Sequence, residues 1–442
     1  MSFPKYEEYK DSGVAWLGEV PNHWELAPLI SIAIECNASN KGMVENNLLS
    51  LSYGRIVRKD INTNDGLLPE SFETYQIIEV GDIVLRLTDL QNDQRSLRSG
   101  LVEERGIITS AYTAIRPLHA NSVFIAYLLR AYDTQKIFYS MGGGLRQSMK
   151  FSELRRLPML LPPLPEQTAI ATFLDRETAK IDELVAEQEK LIELLKEKRQ
   201  AVISHAVTKG LNPDTPMKDS GIEWLGEVPE HWEVKRLKFA AHVQSGVAKG
   251  RDLGQAEIIE VPYLRVANVQ DGYLDLEDIA TIQIAKHELT RYTLHVGDVL
   301  MNEGGDFDKL GRGHIWNGEL DTCIHQNHVF AVRPISIEPE WINLLTSAAY
   351  GRFYFMSRSK QSTNLASISS TNIHEFPLTC PPPNERTAIA NHVRIEVERI
   401  DELSNEAQRA IDLLKERRSA LISAAVTGKI DVRHLANTKE AA

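Results

Sequence analysis

The chain is written twice, and that constrains its fold more than any other feature. "KDSGVAWLGEVPNHWE" fills Lys10–Glu25 and "KDSGIEWLGEVPEHWE" fills Lys218–Glu233, differing only at Val14/Ile222, Ala15/Glu223 and Asn22/Glu230. Further matches follow in the same order. "VGDIVLRL" (Val80–Leu87) pairs with "VGDVLMNE" (Val296–Glu303), and "AIRP" (Ala114–Pro117) with "AVRP" (Ala331–Pro334). "EQTAIA" (Glu166–Ala171) pairs with "ERTAIA" (Glu385–Ala390), and "LLKEKRQAVISHAVT" (Leu194–Thr208) with "LLKERRSALISAAVT" (Leu413–Thr427). The offset grows from 208 to 219 residues, so the second copy is longer by 11, all gained before the helical tail. A period this long means a duplicated domain rather than a solenoid, and 442 residues exceed what one hydrophobic core normally organises.

Each copy runs from a Trp motif through a long mixed segment to a proline cluster and a helical tail. The clusters "LPPLPE" (Leu161–Glu166) and "CPPPNE" (Cys380–Glu385) end a strand and open a helix. Glu166 and Glu385 fall in the first helical turn, where the macrodipole favours an anion. Gly210 and Gly428 stand where C-capping glycines belong. Apolar spacing in the first tail gives the seam Ile170, Leu174, Ile181, Leu184, Gln188, Leu191, Leu195, Lys198, Val202. Adding 219 to each number gives the seam of the second, so the two tails are expected to pack as a coiled coil. Pro165 to Val207 would span roughly 65 Å at ~1.5 Å per residue. Off the seam, Leu194, Ala201, Ile203 and Val207, with Leu413, Ala420, Ile422 and Val426, widen the apolar face. They serve either as core of the helix pair or as a docking stripe for a partner's helices.

The middles read as α/β or α+β with short strands. "GDIVLRL" alternates like a strand, while Phe124–Met141 and Trp341–Met356 read as helices at matching places. Cys36, Cys323 and Cys380 are scattered and odd in number, as expected of reduced cytosolic thiols. The N-terminal residues have no signal-peptide pattern, and no apolar run is long enough to span a bilayer. A cytoplasmic protein without membrane association is therefore expected.

Motifs that would carry chemistry are few. The chain has no glycine-rich phosphate loop. "NPDT" (Asn212–Thr215) lacks the second proline and the aromatic residue of an amino-methylating site. "MGGGLRQ" (Met141–Gln147) does not follow a strand, and "CIHQNH" offers Cys323, His325 and His328 with no fourth metal ligand in view. Asp82 and Asp298, one per copy, read as turn-capping residues. What remains is loops rich in hydrogen-bonding and basic side chains. After the first "GD" strand come Gln91, Asn92, Gln94, Arg95 and Arg98; after the second come Asp306, Asp308, Lys309 and Arg312. Late in each middle lie Arg146, Gln147 and Lys150, and then Arg358, Lys360, Gln361 and Asn364. Arg, Gln and Asn can pair bidentately with purine edges while Lys reaches phosphates; ordinary solvated loops remain the alternative.

Net charge is −12, which excludes a surface that is basic throughout. Trp24–Leu160 holds 15 basic and 15 acidic residues, and Trp232–Cys380 holds 14 and 18. A DNA-binding role would need a partner to supply positive charge.

In this order of motifs the chain resembles the specificity subunits of Type I restriction–modification systems. "PPLPEQTAIATFLDRETAKIDEL", "PYLRVANVQDGYLDL" and "GIITSAYTAIRP" carry the resemblance, and "CPPPNERTAIANHV" departs from it at Asn384–Arg386. The resemblance implies an α/β (α+β) fold with a pseudo-twofold internal repeat. Two globular target recognition domains would be separated by two long helices packed as an antiparallel coiled coil. The expected divisions are 1–160 (first recognition domain), 161–210 (central helix), 211–379 (linker and second recognition domain), 380–430 (second long helix) and 431–442 (tail). It further implies a chain that is not itself an enzyme and binds no cofactor or metal. Double-stranded DNA would be read as two unlike half-sites. Two modification subunits with S-adenosylmethionine would dock at Leu194, Ile203, Val207, Leu413, Ile422 and Val426 and methylate adenine. Restriction subunits with ATP and Mg would complete the complex. A stand-alone two-domain DNA-binding regulator and a coiled-coil protein scaffold are the alternatives.

Overall fold

The repeated residues build the same pieces twice in the computed structural model. It describes residues 3–62, 69, 71–90, 93, 96–141, 148–305, 310–311, 313–362 and 365–435, with backbone only at 140, 361, 362 and 365. The chain divides into two compact units, and the division falls inside both long helices. Unit 1 comprises Met1–Glu189 and Arg409–Ala442; unit 2 comprises Lys190–Gln408.

In unit 1 an antiparallel sheet orders its strands Ala33–Cys36, Thr113–Pro117, Ile83–Leu85, Ser99–Leu101. Unit 2 repeats that order with Ala241–Ser245, Val329–Pro334, Val299–Asn302, Gly313–Ile315. The "GD" strand is central in each, and both of its faces are covered. Ile83 and Leu85 enter the main core of unit 1 while Val84 enters a smaller one; Val299 and Met301 against Leu300 repeat this in unit 2. The alternating pattern in the sequence thus marks two cores rather than a buried and a wet face.

The turn before each strand is held by its aspartate. Asp82 accepts a hydrogen bond from the Glu79 amide (2.8 Å) and takes the Arg116 guanidinium in a two-bond grip (2.7 and 2.8 Å). Asp298 does the same with the His295 amide (2.8 Å) and Arg333 (2.8 and 2.7 Å). The separate "VGD" and "A-x-R-P" motifs are therefore two halves of one clamp. The helix expected over Phe124–Met141 is two, Ser122–Thr134 and Ile137–Met141, and the one expected over Trp341–Met356 is likewise two, Pro339–Ser347 and Ala349–Arg358.

The long helices are Leu164–Lys209 and Pro383–Val426. In unit 1 the first turn of one and the end of the other meet at Trp24, and Arg418 pairs with Asp182 (2.9 Å) further along. In unit 2 Trp232 joins Glu385 to Gly210, and Arg199 pairs with Asp401 (3.5 Å). Within each unit, one helix thus advances as the other recedes, and the pair is antiparallel. Gly210 (φ 77°) and Gly428 (φ 73°) end the helices in the left-handed conformation, each packed against its tryptophan.

The seam differs in phase from the one read in the sequence. It runs Leu174, Thr178, Ile181, Val185, Gln188, Ile192, Leu195, Arg199, an unbroken alternation of four and three. Its equivalents 219 residues on include Ile400, Ala407 and Ile411, all buried. Thr178 is the physical reason for the difference. This polar residue is buried in the seam and bonds back to the Asp175 carbonyl oxygen; passing over it shifts Leu184, Leu191 and Lys198 into the seam by one residue. Leu184 and Leu191 are 45% and 41% exposed.

Candidate nucleic-acid interface

The repeated tryptophan motif is an anchor. In each copy a short hairpin (Tyr9–Asp11 with Glu19–Pro21, Met217–Asp219 with Glu227–Pro229) turns over an aspartate that accepts the amide of the glycine two residues on. It delivers Trp24 and Trp232, both fully buried, to the start of a long helix. Trp24 Nε1 donates to Glu166 Oε1 (3.0 Å), and the His23 imidazole meets Oε2 (2.8 Å). Trp232 Nε1 and His231 meet Glu385 at 3.1 and 2.8 Å. Tyr6 adds a third donor to Glu166 (2.7 Å); burial first, and then that bond, raise its phenol far above the usual value, keeping it a donor. Buried on all sides, Trp24 and Trp232 are not platforms for stacking bases.

From these anchored scaffolds the strands carry the candidate reading loops, and the structure brings the two loop regions of each unit together. In unit 1 the Met149 amide donates to the Leu87 carbonyl oxygen (2.9 Å). In unit 2 the Ile368 amide donates to the Glu303 carbonyl oxygen (2.8 Å), and Gly304–Gly305 pairs with Ala366–Ser367. The segment after the "GD" strand and the segment before the proline cluster thus share one edge, though more than fifty residues separate them in sequence.

Among the candidate contact residues, Lys150, Arg358 and Lys360 are exposed at that edge. Gln91, Asn92, Gln94, Arg95, Arg146, Gln147, Lys309, Arg312 and Asn364 lie outside the described residues, as does the side chain of Gln361. Arg98 is a correction. It is fully buried, donates to the carbonyl oxygens of Thr88 (3.0 Å), Asp89 (3.2 Å) and Asp93, and its own amide is held by Asp133. Its guanidinium is used inside the protein, tying the segment that precedes it, and Tyr139 Oη also donates to the Asp93 carbonyl oxygen (3.3 Å). Nothing in the sequence distinguished it from the other polar residues of its segment.

The docking stripe also needs correcting. Ile203 and Val207 belong to the core of unit 2, and Ile422 and Val426 to that of unit 1, each no more than 2% exposed. The ends of the helices are covered by the domains they enter. Leu194 and Leu413 are 52% and 65% exposed, and Leu184, Leu191 and Leu403 join them as exposed apolar groups.

The cysteine–histidine segment is structural. His325 is buried with Nδ1 against the Val329 carbonyl oxygen (2.6 Å), while His328 points outward to Glu303 (2.5 Å). Burial lowers the His325 pKa, so the ring is neutral. Among the described residues no group of three or more His, Cys, Asp or Glu is arranged to hold a metal ion, and no helix is long and apolar enough to cross a membrane.

Residues 106–194 match the family described as the Type I restriction modification DNA specificity domain. The chain is 25% identical over 321 residues to the Type I restriction enzyme EcoKI specificity subunit of Escherichia coli K12, covering 70% of this chain and 66% of that one. It is 22% identical over 432 residues to the StySPI specificity subunit of Salmonella potsdam, covering 93% and 90%. The family model, these relatives and the solved structures alike support a Type I specificity subunit. Its fold agrees. A chain solved in work on assembly and conformational transition of the type I R-M system superposes with TM-score 0.67 at 17% identity, covering 92% of this chain and 98% of that one. The HsdS subunit from Thermoanaerobacter tengcongensis gives 0.50 at 16%, with the same coverage. These similarities support DNA recognition, and Lys150, Arg358 and Lys360 are the candidate contact residues that the described loop edges leave exposed.

Proposed function

We propose that this specificity subunit reads a split, asymmetric DNA site, one half with the loop edge of each unit, and does so without catalysing a reaction itself. The supporting observation is the pairing of identical scaffold with unlike loops. Anchor, clamp and strand order recur in both units, while the edge at Leu87 and Met149 and the edge at Glu303 and Ile368 carry different residues. Unlike readers in equivalent places give unlike half-sites, because half-site symmetry mirrors protein symmetry. Lys150, Arg358 and Lys360 serve as phosphate or base contacts.

On this reading two modification subunits carrying S-adenosylmethionine methylate adenine as the subunit directs, and restriction subunits with ATP and Mg add cleavage. Docking uses the exposed leucines of the long helices: Leu184 and Leu413 in unit 1, and Leu191, Leu194 and Leu403 in unit 2. An exposed apolar stripe beside a satisfied seam is the surface such a partner needs.

The test replaces residues 33–160 with those of another family member and maps methylated adenines in a host that also carries the modification subunit. One half of the methylated sequence should change and the other persist. A change in both halves, or in neither, would refute the assignment of one half-site to each unit.

A further inference from the structure

Both units contain a groove between the domain helix and the long helices, and the two grooves are built from the same positions. Ten residues lining the unit 1 groove map onto ten lining the unit 2 groove, four on the domain helix at offset 217 and six on the long helices at offset 219. The volumes are about 650 Å³ in unit 1 and about 820 Å³ in unit 2, room enough for several side chains.

Their charges differ. In unit 1 a hairpin of the domain (Leu49–Ser52 with Arg55–Arg58) forms one wall. Its turn lies so close that a Cβ at Gly54 (φ 77°) would meet the Arg130 guanidinium at 2.4 Å. Arg130 donates to the Ser99 carbonyl oxygen (2.6 Å), and burial brings its pKa down to about 10. Asp182 receives two cations, Arg418 at 2.9 Å and Arg55 of the hairpin at 3.5 Å. The lining is balanced, with three arginines against three carboxylates.

Among the described residues unit 2 lacks that second cation: Asp401, the equivalent of Asp182, pairs there only with Arg199 at 3.5 Å, and its side chain is 55% exposed. Where unit 1 presents Arg55 on the wall, unit 2 presents Asp271 and Gly272. Three lining arginines face five carboxylates. Arg386 is bound to Glu338, Arg394 to Glu398, and Asp271 to Arg352 (3.3 Å), so the uncompensated charge lies at Glu340 and at the long Asp401 pair. Glu340 has no partner among the described residues, and Asn343 Oδ1 is buried without a donor. His314 adds no charge, because burial holds its imidazole below the usual value. Glu340 and the loosely paired Asp401 leave the groove short of positive charge, which argues against a nucleic-acid strand as occupant.

We propose that the unit 2 groove is a docking site for a basic loop of the modification subunit, whose arginine or lysine takes the place at Asp401, Glu340 and Asn343 that Arg55 of the protein's own hairpin takes at Asp182. The choice of partner rests on the proposed function; the choice of a basic segment rests on the groove. Unit 1 fills the same position internally, so the two units engage their partners unequally.

The test uses the full chain co-expressed with the modification subunit of its own system. Glu340→Lys changes an exposed, unbonded side chain and should leave folding intact, as hydrogen exchange over unit 2 will show. Native mass spectrometry should find one of two modification subunits bound roughly tenfold more weakly, since like charges would then meet at the dock. In the unaltered assembly a photo-crosslinker at position 340 should attach to an Arg- or Lys-bearing partner peptide. If E340K binds both copies with unchanged affinity, or if the crosslink falls on an acidic segment or on none, the inference is wrong while the proposed function stands. If the unaltered chain assembles with no modification subunit, that proposed function fails and this inference with it.

Discussion

The two helix anchors are the same device built under different constraints. Glu385 in unit 2 takes two donors and its side chain stays 31% exposed, whereas Glu166 in unit 1 takes three and is 6% exposed. Chain continuity accounts for this. In unit 2 one peptide leads from Lys209 to the second tryptophan motif. In unit 1 the same junction is made by segments distant in sequence: Asp431 donates its amide to the Pro4 carbonyl oxygen (2.8 Å), and Arg433 lies over the Tyr6 ring (5.1 Å). Tyr9 Oη donates to the Gly428 carbonyl oxygen (3.1 Å) and Val432 is fully buried. Where no peptide bond closes the junction, side chains and a C-terminal strap must.

This comparison can be broken at several points. Removing the buried indole should cost most, about 3–5 kcal/mol for a large core side chain. Trp24→Ala should raise hydrogen exchange throughout unit 1 and leave residues 190–408 protected, with Trp232→Ala doing the reverse. Equal loosening of both units by either change would mean that they are not separate folding units.

Next come the clamps. Asp82→Ala leaves the Glu79 amide and Arg116 without their acceptor and should cost about 2–3 kcal/mol, with Asp298→Ala matching it in unit 2. Thermal unfolding of the two variants should show the same loss, since both carboxylates have the same partners.

The strap should matter to unit 1 alone. Ending the chain after Lys429 removes Val432 and the Asp431–Arg433 pair (2.6 Å) and should cost about 2 kcal/mol. The DNA half-site assigned to unit 2 should survive. Arg433 holds the Asp431 carboxyl below its ordinary value of 3.8, chiefly by hydrogen bonding. A carboxylate with a lowered folded pKa stabilises above its unfolded value and loses that contribution as pH falls through the folded one. Stability of unit 1 should therefore drop below about pH 4 by more in the full chain than in the truncated one. Parallel acid curves would show that the strap carries no such linkage.

The smallest effects belong to single exposed contacts. Lys150→Ala or Arg358→Ala should weaken DNA binding by roughly 1 kcal/mol and lower the salt slope by about one. Arg98→Met should leave the salt slope unchanged, because the buried guanidinium neutralises no phosphate.

Duplication, the order of elements, the helix starts and the ending glycines were legible because each depends on local residue chemistry repeated at a near-constant offset. "VGD" needed no third dimension to be recognised as structural, since a polar residue kept at equivalent places in two unlike domains serves what those domains share. The helix seam was only half legible: Ile181, Gln188 and Leu195 were found, but buried Thr178 hid the phase because its polarity broke the apolar rhythm. Arg98, Ile203 and Val426 could not be assigned from sequence, because whether an arginine faces solvent or a ring of carbonyls depends on which segments fold over it. The same holds for the groove. Asp182 and Asp401 are equivalent residues in equivalent helices. Only the tertiary structure decides that a hairpin brings Arg55 to one and leaves the other with a single distant cation, because charge balance is set by what meets in space.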